Sequence, residues 1–492
     1  MNALPASVFS AAQVRAMDAH AIERLGIPGY TLMGRAGEAA LDCLTRHWPA
    51  ARRVLVLCGA GNNAGDGYVV ARLAAASGLA VTVAALSEPT RLHGDAARAY
   101  ADFREAGGTT VGFSPSLLPD ADVIVDGMLG TGLDREVGGA YADCIRALGE
   151  ARCRVLALDL PSGLNADTGA VMGCAVSAAQ TISFVGLKSG LFLGAGPDHA
   201  GELSFAGLGI DPAVASGEPV LRRVEDGLLA SLLPPRRRGA HKGDHGRVLV
   251  VGGGPGMPGA ARLAAEAALR VGAGLVTVAT WPAHVAAIVA GRPEVMCRGI
   301  EQPAEVRALM AAADVVAVGP GLGQSDWSRE LLEAVLASGR RLVVDADALN
   351  LLSQSPWRGA DWVLTPHPGE AARLLGTSAA AVQADRLGTL RSLADRFGGT
   401  VVLKGACSLV TGPSGEAWVC DAGNPGMATA GMGDVLTGTI AGLAAQGLPL
   451  EQAAVAGVRV HARAGDLAAR RGVRGLIASD LMEALRACVN PA

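Results

Sequence analysis

Lysine, aromatic residues and net charge are all scarce in this chain of 492 residues. Only three of its 42 basic residues are lysine, at positions 188, 242 and 404, so arginine supplies nearly every ordinary positive charge. In such a chain a compact ammonium is expected where a forked guanidinium does not fit. The net charge of -4 offers no electrostatic basis for binding nucleic acid or an anionic membrane.

Paired cysteines and long apolar runs are also missing. The nine cysteines include no C-x-x-C pair, which argues for reduced thiols rather than a disulfide framework or a zinc site. No stretch approaches ~18 uninterrupted apolar residues, and the opening MNALPASVFSAAQV has neither a basic n-region nor an apolar h-region. We therefore expect a cytoplasmic protein without a membrane partner, and we also expect a homo-oligomer.

What the sequence has instead is a regular alternation of strand-like apolar runs with helical patterns. That alternation predicts parallel sheets covered by helices on both faces. The chain is too long for one ordinary core, and residues 209–246, rich in Pro, Gly and charge, interrupt the alternation. We place the domain boundary there, which predicts a Rossmann-like three-layer α/β sandwich over 1–222 and a second α/β domain over 223–492.

The stretch GAGNNA at 59–64 completes a G-x-G-x-x-G/A fingerprint after an apolar strand, and Glu88 follows at about the expected distance. This pattern is typical of an NAD-dependent dehydrogenase. However, Asn62, Asn63 and Asp66 crowd a loop that would normally offer bare backbone N–H groups to a pyrophosphate.

Polar residues follow three strand-like runs of the first domain, in GNNAGDG, DGMLGTGLDRE and DLPSGLNADTG. Because ligands bind at the carboxyl ends of parallel strands, we expect Asn63, Asp126 and Asp159 to converge on one cleft. Helix capping is the alternative for each residue taken alone. Oxygen ligands without His or Cys suit a hard cation, and one carboxylate with two neutral oxygens, from Asn63, Asp126 and Ser162, suits a monovalent one.

These three motifs together resemble the NAD(P)HX epimerase domain of bifunctional NAD(P)H-hydrate repair enzymes, over roughly residues 10–215. The resemblance implies that potassium binds at Asn63, Asp126 and Ser162. The residues that it implies for the hydrated dinucleotide are Asn62, Asn63, Ala64, Gly65, Asp66, Gly130, Thr131, Gly132, Leu133, Asp134, Arg135, Glu136 and Asp159.

The implied chemistry is inversion at C6 of the hydrated nicotinamide ring. That carbon bears a hydroxyl group beside a nitrogen, so reversible ring opening or loss of hydroxide would scramble it. Asp159 is our candidate for moving the proton, and we expect Lys188 to supply a positive charge near a phosphate.

The second domain carries NPGMATAGMGDVLTG, in which a glycine-rich turn feeds a helix that we expect to begin near Gly433. Backbone N–H groups and the helix dipole then form an anion pocket, and Asp434 at its lip could activate a hydroxyl against a phosphoryl donor. The alternative is that Asp434 is an ordinary stabilising charge in the first helical turn. The pattern resembles the anion hole of ribokinase-like folds, in which this Asp is the general base.

Further strand ends of this domain also carry polar groups. Lys404 follows one strand and could meet nucleotide phosphates, and His367 follows another. Asp345 and Asp347 could hold a metal directly or through water, and helix capping is the rival interpretation.

Read in order, HKGDHG, GGGPGMPGAARLAA, VGPGLG, DADALN, TPHPGE, LKGA and AGMGDVLTG resemble the ADP-dependent NAD(P)HX dehydratase domain, over residues 230–488. The resemblance implies a ribokinase-like fold, ADP as co-substrate and Mg²⁺. Its implied residues for the hydrated dinucleotide are Ala260, Gly323, His367 and Asp434. Those for ADP are Lys404, Gly405, Ala406, Cys407, Ser408 and Gly433.

Three other functions remain open at this stage. The dehydrogenase leaves the anion pocket at 431–434 unexplained. A ribokinase-like small-molecule kinase would phosphorylate a stable alcohol and release the product, with the N-terminal domain regulatory. A purely dinucleotide-binding or scaffolding role for the N-terminal domain leaves its polar cleft unexplained.

Overall fold

Strand and helix alternate along the chain as the apolar periodicity predicts. The computed structural model describes residues 4–214 and 217–490, and the chain divides into two units, Met1–Leu221 and Arg222–Ala492. Parallel strands dominate both, which confirms the α/β prediction. In the described residues, we find no helix with the length and apolar character needed to cross a membrane.

The first unit contains a seven-stranded parallel sheet and a short parallel pair of strands. Its strands are β1 (Ser7–Phe9), β2 (Arg53–Cys58), β3 (Ala80–Ala85), β4 (Thr110–Gly112), β5 (Val123–Gly127), β6 (Val155–Leu158), β7 (Gln180–Phe184), β8 (Leu187–Lys188) and β9 (Glu202–Ala206). Its helices are α1 (Ala11–Glu23), α2 (Gly29–His47), α3 (Asn62–Ala76), α4 (Gly94–Glu105), α5 (Gly139–Ala151) and α6 (Gly196–His199).

Alternation along β2 explains the three layers of this unit. Val54 and Val56 pack in one apolar cluster with residues of α2 and α3. Leu55 and Leu57 pack in a second cluster with residues of α5. Because successive strand residues point to opposite faces, an uninterrupted apolar strand is covered by helices on both sides.

The order of the large sheet fixes where a ligand can bind. The strands run β4-β3-β2-β5-β6-β7-β9, and every neighbouring pair is parallel. The order reverses between β2 and β5, and such a switch point opens a crevice beyond the carboxyl ends of the two strands. Two of the polar motifs, GNNAGDG and DGMLGTGLDRE, lie there.

The second unit is built on a longer sheet. Its strands are β10 (Leu221–Arg223), which begins at the unit boundary, β11 (Arg247–Val251), β12 (Leu275–Thr280), β13 (Met296–Gly299), β14 (Val315–Val318), β15 (Arg341–Val344), β16 (Trp362–Leu364), β17 (Thr400–Leu403), β18 (Ser408–Thr411) and β19 (Ala417–Cys420). Its helices are α7 (Asp226–Leu232), α8 (Pro258–Arg270), α9 (Val285–Gly291), α10 (Val306–Ala311), α11 (Asp326–Leu336), α12 (Ala346–Gln354), α13 (Pro368–Leu375), α14 (Ala379–Ala384), α15 (Arg386–Phe397), α16 (Met432–Ala445), α17 (Leu450–Ala468) and α18 (Leu481–Cys488).

These strands lie in the order β13-β12-β11-β14-β15-β16-β17-β18-β19-β10. Pairing is parallel except where β18 runs antiparallel to β17 and β19. The sequence run TVVLKGACSLVTG, taken as one strand-like segment, is therefore a hairpin, because the chain reverses at residues 404–407. This sheet has its switch point between β11 and β14, followed by GGGPG and GPGLG.

Helix α16 lies close against α8 because the contact is lined by small residues. A Cβ atom added at Gly438 would lie 1.9 Å from the Ala264 carbonyl oxygen, so only glycine fits there. This packing buries nearly the whole of α16 and fixes its N-terminus at the carboxyl edge of the sheet. Residues after β15, β16 and β17 meet at the same edge.

Candidate active sites

The switch point of the first unit opens into a cavity of about 840 Å³. Most of the residues that the sequence assigns to the dinucleotide line it: Asn62, Asn63, Asp66, Gly130, Thr131, Gly132, Leu133, Asp134, Arg135, Glu136 and Asp159. Ala64 and Gly65 do not, because they are buried in α3 against the core.

The three residues proposed for potassium meet at the wall of this cavity. Asp126 is fully buried, and its carboxylate accepts hydrogen bonds from Met128 N (3.2 Å), Ser162 N (2.8 Å) and Ser162 Oγ (2.6 Å). Asn63 Nδ2 donates to the Leu129 carbonyl oxygen at 2.9 Å, and Leu129 N donates to Ser162 Oγ at 2.8 Å. Burial raises the pKa of Asp126 to about 6, against the lowering effect of the Ser162 hydrogen bonds.

Asp159 and Lys188 form a buried ion pair beside the cavity. Asp159 adopts φ +66°, and its Oδ1 accepts from Phe184 N (3.0 Å) and from Lys188 Nζ. The Lys188 ammonium, which is fully buried, also donates to Ser183 Oγ (3.2 Å) and the Phe184 carbonyl oxygen (2.7 Å). Its three hydrogen bonds are made within the protein, and it also lines the cavity, so the expectation that Lys188 supplies charge near a phosphate stays a prediction.

Sequence reasoning missed one carboxyl group in this cavity. Asp18, on α1, lines the cavity together with Arg15. No local motif marks it, but it lies among Val14, Met17 and Ala21, which are buried. A carboxylate on the apolar stripe of a helix was the signal that could have found it.

In the second unit, Lys404 lies at the centre of a polar cluster at the carboxyl edge of the sheet. Its Nζ is 2.7 Å from Asp345 Oδ1 and 3.7 Å from Glu370 Oε2. Thr437 Oγ1, on α16, donates to Asp345 Oδ2 at 2.7 Å. Burial by itself lowers the pKa of Lys404, but the Asp345 and Glu370 carboxylates outweigh it and raise that pKa.

The glycine-rich turn leads into α16, which begins at Met432, one residue earlier than expected. Gly431 caps the helix at φ +87°, a left-handed conformation that favours glycine. A Cβ atom added at Gly433 would lie 3.2 Å from Lys404 Nζ, so the Lys404 ammonium lies next to the N-terminus of α16. Asp434 lies in the first turn, and burial together with the Asp345 carboxylate raises its pKa to about 7.

The other polar side chains near this cluster differ in whether they cap a helix. His367 Nδ1 accepts from Gly369 N at 3.0 Å and caps α13, while the ring stays half exposed. Asp345 occupies the N-cap of α12 but makes no side-chain capping hydrogen bond, so the capping interpretation is wrong for it. Asp347 Oδ2 accepts from Gly323 N at 2.8 Å.

The loop beyond β11 meets the loop beyond β14. A Cβ atom added at Gly321 would lie 3.0 Å from Ala260 Cβ, and one at Gly323 would lie 3.7 Å from Met257 Cε. Ala260, in the first turn of α8, and Gly323, on the loop beyond β14, were both assigned to the hydrated dinucleotide and lie on adjoining segments.

The turn that carries Gly405, Ala406, Cys407 and Ser408 depends on a residue that sequence reasoning missed. Arg386 is 5% exposed and donates to the carbonyl oxygens of Leu403 (3.3 Å) and Cys407 (2.9 Å). Ser408 Oγ donates to the Gly405 carbonyl oxygen at 3.3 Å, which closes the turn. The sequence offered no signal, because Arg386 is one of many arginines.

Comparison with known proteins agrees with this arrangement. The family model described as NAD(P)H-hydrate dehydratase matches residues 248–487, and the one described as YjeF-related protein N-terminus matches residues 29–190. The chain is 48% identical to the bifunctional NAD(P)H-hydrate repair enzyme of Coxiella burnetii, over 97% of this chain and 98% of that protein. Identity to the Escherichia coli enzyme of that name is 44%, over 99% and 95%. A ribokinase-like superfamily protein from Enterococcus faecalis matches with TM-score 0.52 and 31% identity, over 55% and 95%, which confirms the ribokinase-like fold.

Proposed function

Because this chain belongs to the family of bifunctional NAD(P)H-hydrate repair enzymes, with an epimerase and a dehydratase domain, we propose how its residues divide the two reactions. Residues 1–222 carry the epimerase, and residues 223–492 carry the ADP-dependent dehydratase. The full-length relatives favour this function over a dehydrogenase, a small-molecule kinase or a scaffold.

The observation that supports the dehydratase assignment is the position of Asp434. It lies in the first turn of α16, beside a glycine-capped helix N-terminus and near the Lys404 ammonium. Backbone N–H groups and an ammonium attract phosphate, and a carboxylate at the edge of that pocket can accept a proton from an attacking hydroxyl. Lys404, the Gly405–Ser408 turn and Gly433 therefore hold the adenine nucleotide, and Ala260, Gly323 and His367 hold the hydrated dinucleotide.

The reaction follows from these positions. Asp434 removes the proton of the C6 hydroxyl as that oxygen bonds to the β-phosphorus of ADP, and AMP leaves with the electron pair of the broken P–O bond. The nitrogen lone pair then expels phosphate from C6, and loss of a proton from C5 completes NAD(P)H. Lys404 offsets the negative charge that develops on the phosphoryl oxygens.

Among the described residues, no group of three or more His, Cys, Asp or Glu side chains is arranged to hold a metal ion, so we propose that Mg²⁺ binds at the polar cluster around Lys404 together with the nucleotide phosphates. Four carboxylates belong to this cluster with the single Lys404 ammonium, with Arg373 acting on one of them, so negative charge is in excess: Asp345, Asp347, Glu370 and Asp434. Because Lys404 and Thr437 engage both oxygens of Asp345, we assign Asp347 as the carboxylate that holds Mg²⁺ alongside the nucleotide phosphates. Bound there, the cation supplies further charge neutralisation at the phosphates.

The epimerase assignment is supported by the cavity at the first switch point. Asp159, which lines it, is our candidate for proton transfer at C6. Asp126 fits a cation because it is fully buried and its hydrogen-bond donors are all neutral. We propose that Asn63, Asp126 and Ser162 hold potassium, which supplies positive charge and orders the wall of the cavity. We further propose that the enzyme is cytoplasmic and homo-oligomeric and acts on the small molecules NADHX and NADPHX.

One experiment tests both halves together. The purified protein is incubated with a mixture of the R and S hydrates, Mg²⁺ and potassium, with ADP or ATP, and NADH recovery is followed at 340 nm. We expect complete recovery with release of AMP in the ADP arm, since only epimerisation makes the R hydrate available. Recovery of the S fraction alone would contradict the epimerase assignment, and no recovery would contradict the dehydratase assignment.

A further inference from the structure

Helix α1 brings a second carboxyl group into the cavity where Asp159 lies. Asp18 lines this cavity together with Arg15, Asp66, Asp159 and Lys188. The matched region of the N-terminal family model begins at residue 29, after the end of α1. Asp18 therefore lies on a helix that precedes both the matched region and the three polar motifs of the first unit.

The chain fixes the position of this helix relative to Lys188. Strand β1 pairs with β8, with Phe9 opposite Lys188, and α1 begins two residues later. Ser10 and Gln13 form a capping box at its N-terminus, and Ala11 N donates to Asp167 Oδ1 at 2.6 Å. Asp18 follows two turns further along a helix that is anchored at its start, so it is held beside the cavity rather than on a free terminus.

Asp18 and Asp159 lie in different electrostatic environments. Asp159 accepts a hydrogen bond from the buried Lys188 ammonium, whereas within residues 4–214 no group hydrogen-bonds to the Asp18 side chain. Burial raises the pKa of Asp18 to about 6, Lys188 acts against this rise, and Asp159 adds to it. Two carboxyl groups in one cavity, one paired with an ammonium and the other without a hydrogen-bond partner among residues 4–214, form a candidate acid–base pair.

We propose that Asp18 is the second catalytic residue of C6 inversion and that it acts as the acid while Asp159 acts as the base. This inference rests on the proposed epimerase function of the first unit. Asp159 takes the proton of the C6 hydroxyl, C6 becomes an aldehyde, and the C6–N1 bond breaks with its electron pair going to N1. Asp18 delivers its proton to N1. Rotation about C5–C6 and the reverse steps close the ring on the other face and return both protons.

The experiment uses the full-length protein and pure R hydrate. We expect Asp18→Asn to slow R-to-S conversion by roughly 10²–10⁴-fold, because a general acid typically contributes that much. ADP-driven dehydration of pure S hydrate should be unchanged in the same preparation. The matched control is Glu23→Gln, an exposed acid on the same helix, which should convert the R hydrate at the wild-type rate.

The pH profile separates proton transfer from a structural role. Because the acid must be protonated, wild-type conversion should fall as the pH rises through about 6, and Asp18→Asn should lose this dependence. The charged groups that share the cavity, and that could titrate instead, are Arg15, Asp66, Asp95, Asp134, Arg135, Glu136, Asp159 and Lys188. Persistence of the dependence in Asp18→Asn, with its loss in Asp66→Asn, would overturn the proposal.

If Asp18→Asn lowers the melting temperature, Asp18→Glu decides the question. This variant retains the carboxyl group, so folded protein with measurable, pH-dependent conversion supports the proposal, and folded protein without conversion overturns it. Full activity of Asp18→Asn would also overturn it. A wild-type protein that cannot convert the R hydrate would instead overturn the epimerase function itself.

Discussion

Each of the two units pairs a lysine with a strand-end aspartate, but the two lysines differ in burial and in how many hydrogen bonds they make within the protein. Lys188 is fully buried, and its ammonium group donates hydrogen bonds to Asp159, Ser183 and the Phe184 carbonyl oxygen. Lys404 has a side chain that is 17% exposed and lies beside the open N-terminus of α16. Lys188 has three hydrogen-bond acceptors within the protein, whereas the partly exposed Lys404, beside the N-terminus of α16, is also open to a phosphate.

The comparison also extends to the carboxyl groups. In the second unit the proposed base, Asp434, needs to be ionised. In the first unit the proposed acid, Asp18, needs to be protonated. Burial raises both pKa values, to about 7 and about 6, so one physical cause serves opposite roles.

The largest expected effect separates the two units. Asp434→Asn should reduce ADP-driven dehydration by roughly 10²–10⁴-fold and leave epimerisation intact, because the base is lost from only one site. AMP formation from S hydrate and R-to-S conversion are measured on the same preparation. Substantial AMP formation by the pure variant would refute the assignment of Asp434 as base.

The pH dependence of dehydration by the wild-type enzyme is a second test of Asp434 as the base. Since a raised carboxyl pKa delays ionisation, the rate should be full above pH 7 and should be lost as the pH falls through about 7. A rate that stays constant between pH 6 and pH 8 at saturating ADP and Mg²⁺ would contradict this prediction.

The next effect tests the cation site of the first unit. Asn63→Ala removes the amide that contacts the Leu129 carbonyl and should slow epimerisation by up to about 10²-fold, as expected for small displacements in a site. Asp126→Ala should do the same and abolish the response to potassium. Unchanged conversion with a normal potassium response would remove these residues from the site, and dehydration of S hydrate is the internal control.

A smaller effect is expected from Lys404. Lys404→Met should raise the apparent KM for ADP by about 10–100-fold, the equivalent of about 1.5–3 kcal/mol for a charged hydrogen bond. Lys242→Met is the matched control, because Lys242 is exposed and lies outside the cluster. Steady-state kinetics at varied ADP measure the change, and an unaltered KM would place Lys404 outside the nucleotide site.

The smallest effect is expected from Arg386, whose side chain contacts only backbone carbonyl oxygens at the turn proposed to bind ADP. Arg386→Lys keeps the charge but loses the Nη2 group that donates to the carbonyl oxygens of both Leu403 and Cys407, so we expect a few-fold rise in the KM for ADP with kcat nearly unchanged. Arg391→Lys, an exposed change on the same helix, is the control. A fall in kcat with constant KM would show that Arg386 affects the chemistry instead.

Local pattern was enough to predict the α/β class and the polar strand ends of the first unit, because strand period, glycine turns and strand-end polar groups are properties of neighbouring residues. Most of the individual cavity residues were expected only from the resemblance of three motifs to the epimerase domain. The LKGAC hairpin was less predictable, since a continuous apolar run does not show where the chain reverses. Ala64 and Gly65 were assigned to the cavity by motif, yet α3 turns them toward the core. The helical period of α3, rather than the motif, decides which residues of GNNAGDG face the cavity.

By itself the sequence determined two parallel-sheet units, the glycine-capped start of α16 and the polar ends of the strands, all of which depend on short-range chemistry. Only the tertiary structure decided that Lys188 pairs with Asp159 and Lys404 with Asp345, that Arg386 contacts the turn at residues 404–407, and that Asp18 shares a cavity with Asp159. These pairings join residues that are far apart along the sequence. Their partners are selected by strand order and helix packing, and no local pattern along the chain carries that information.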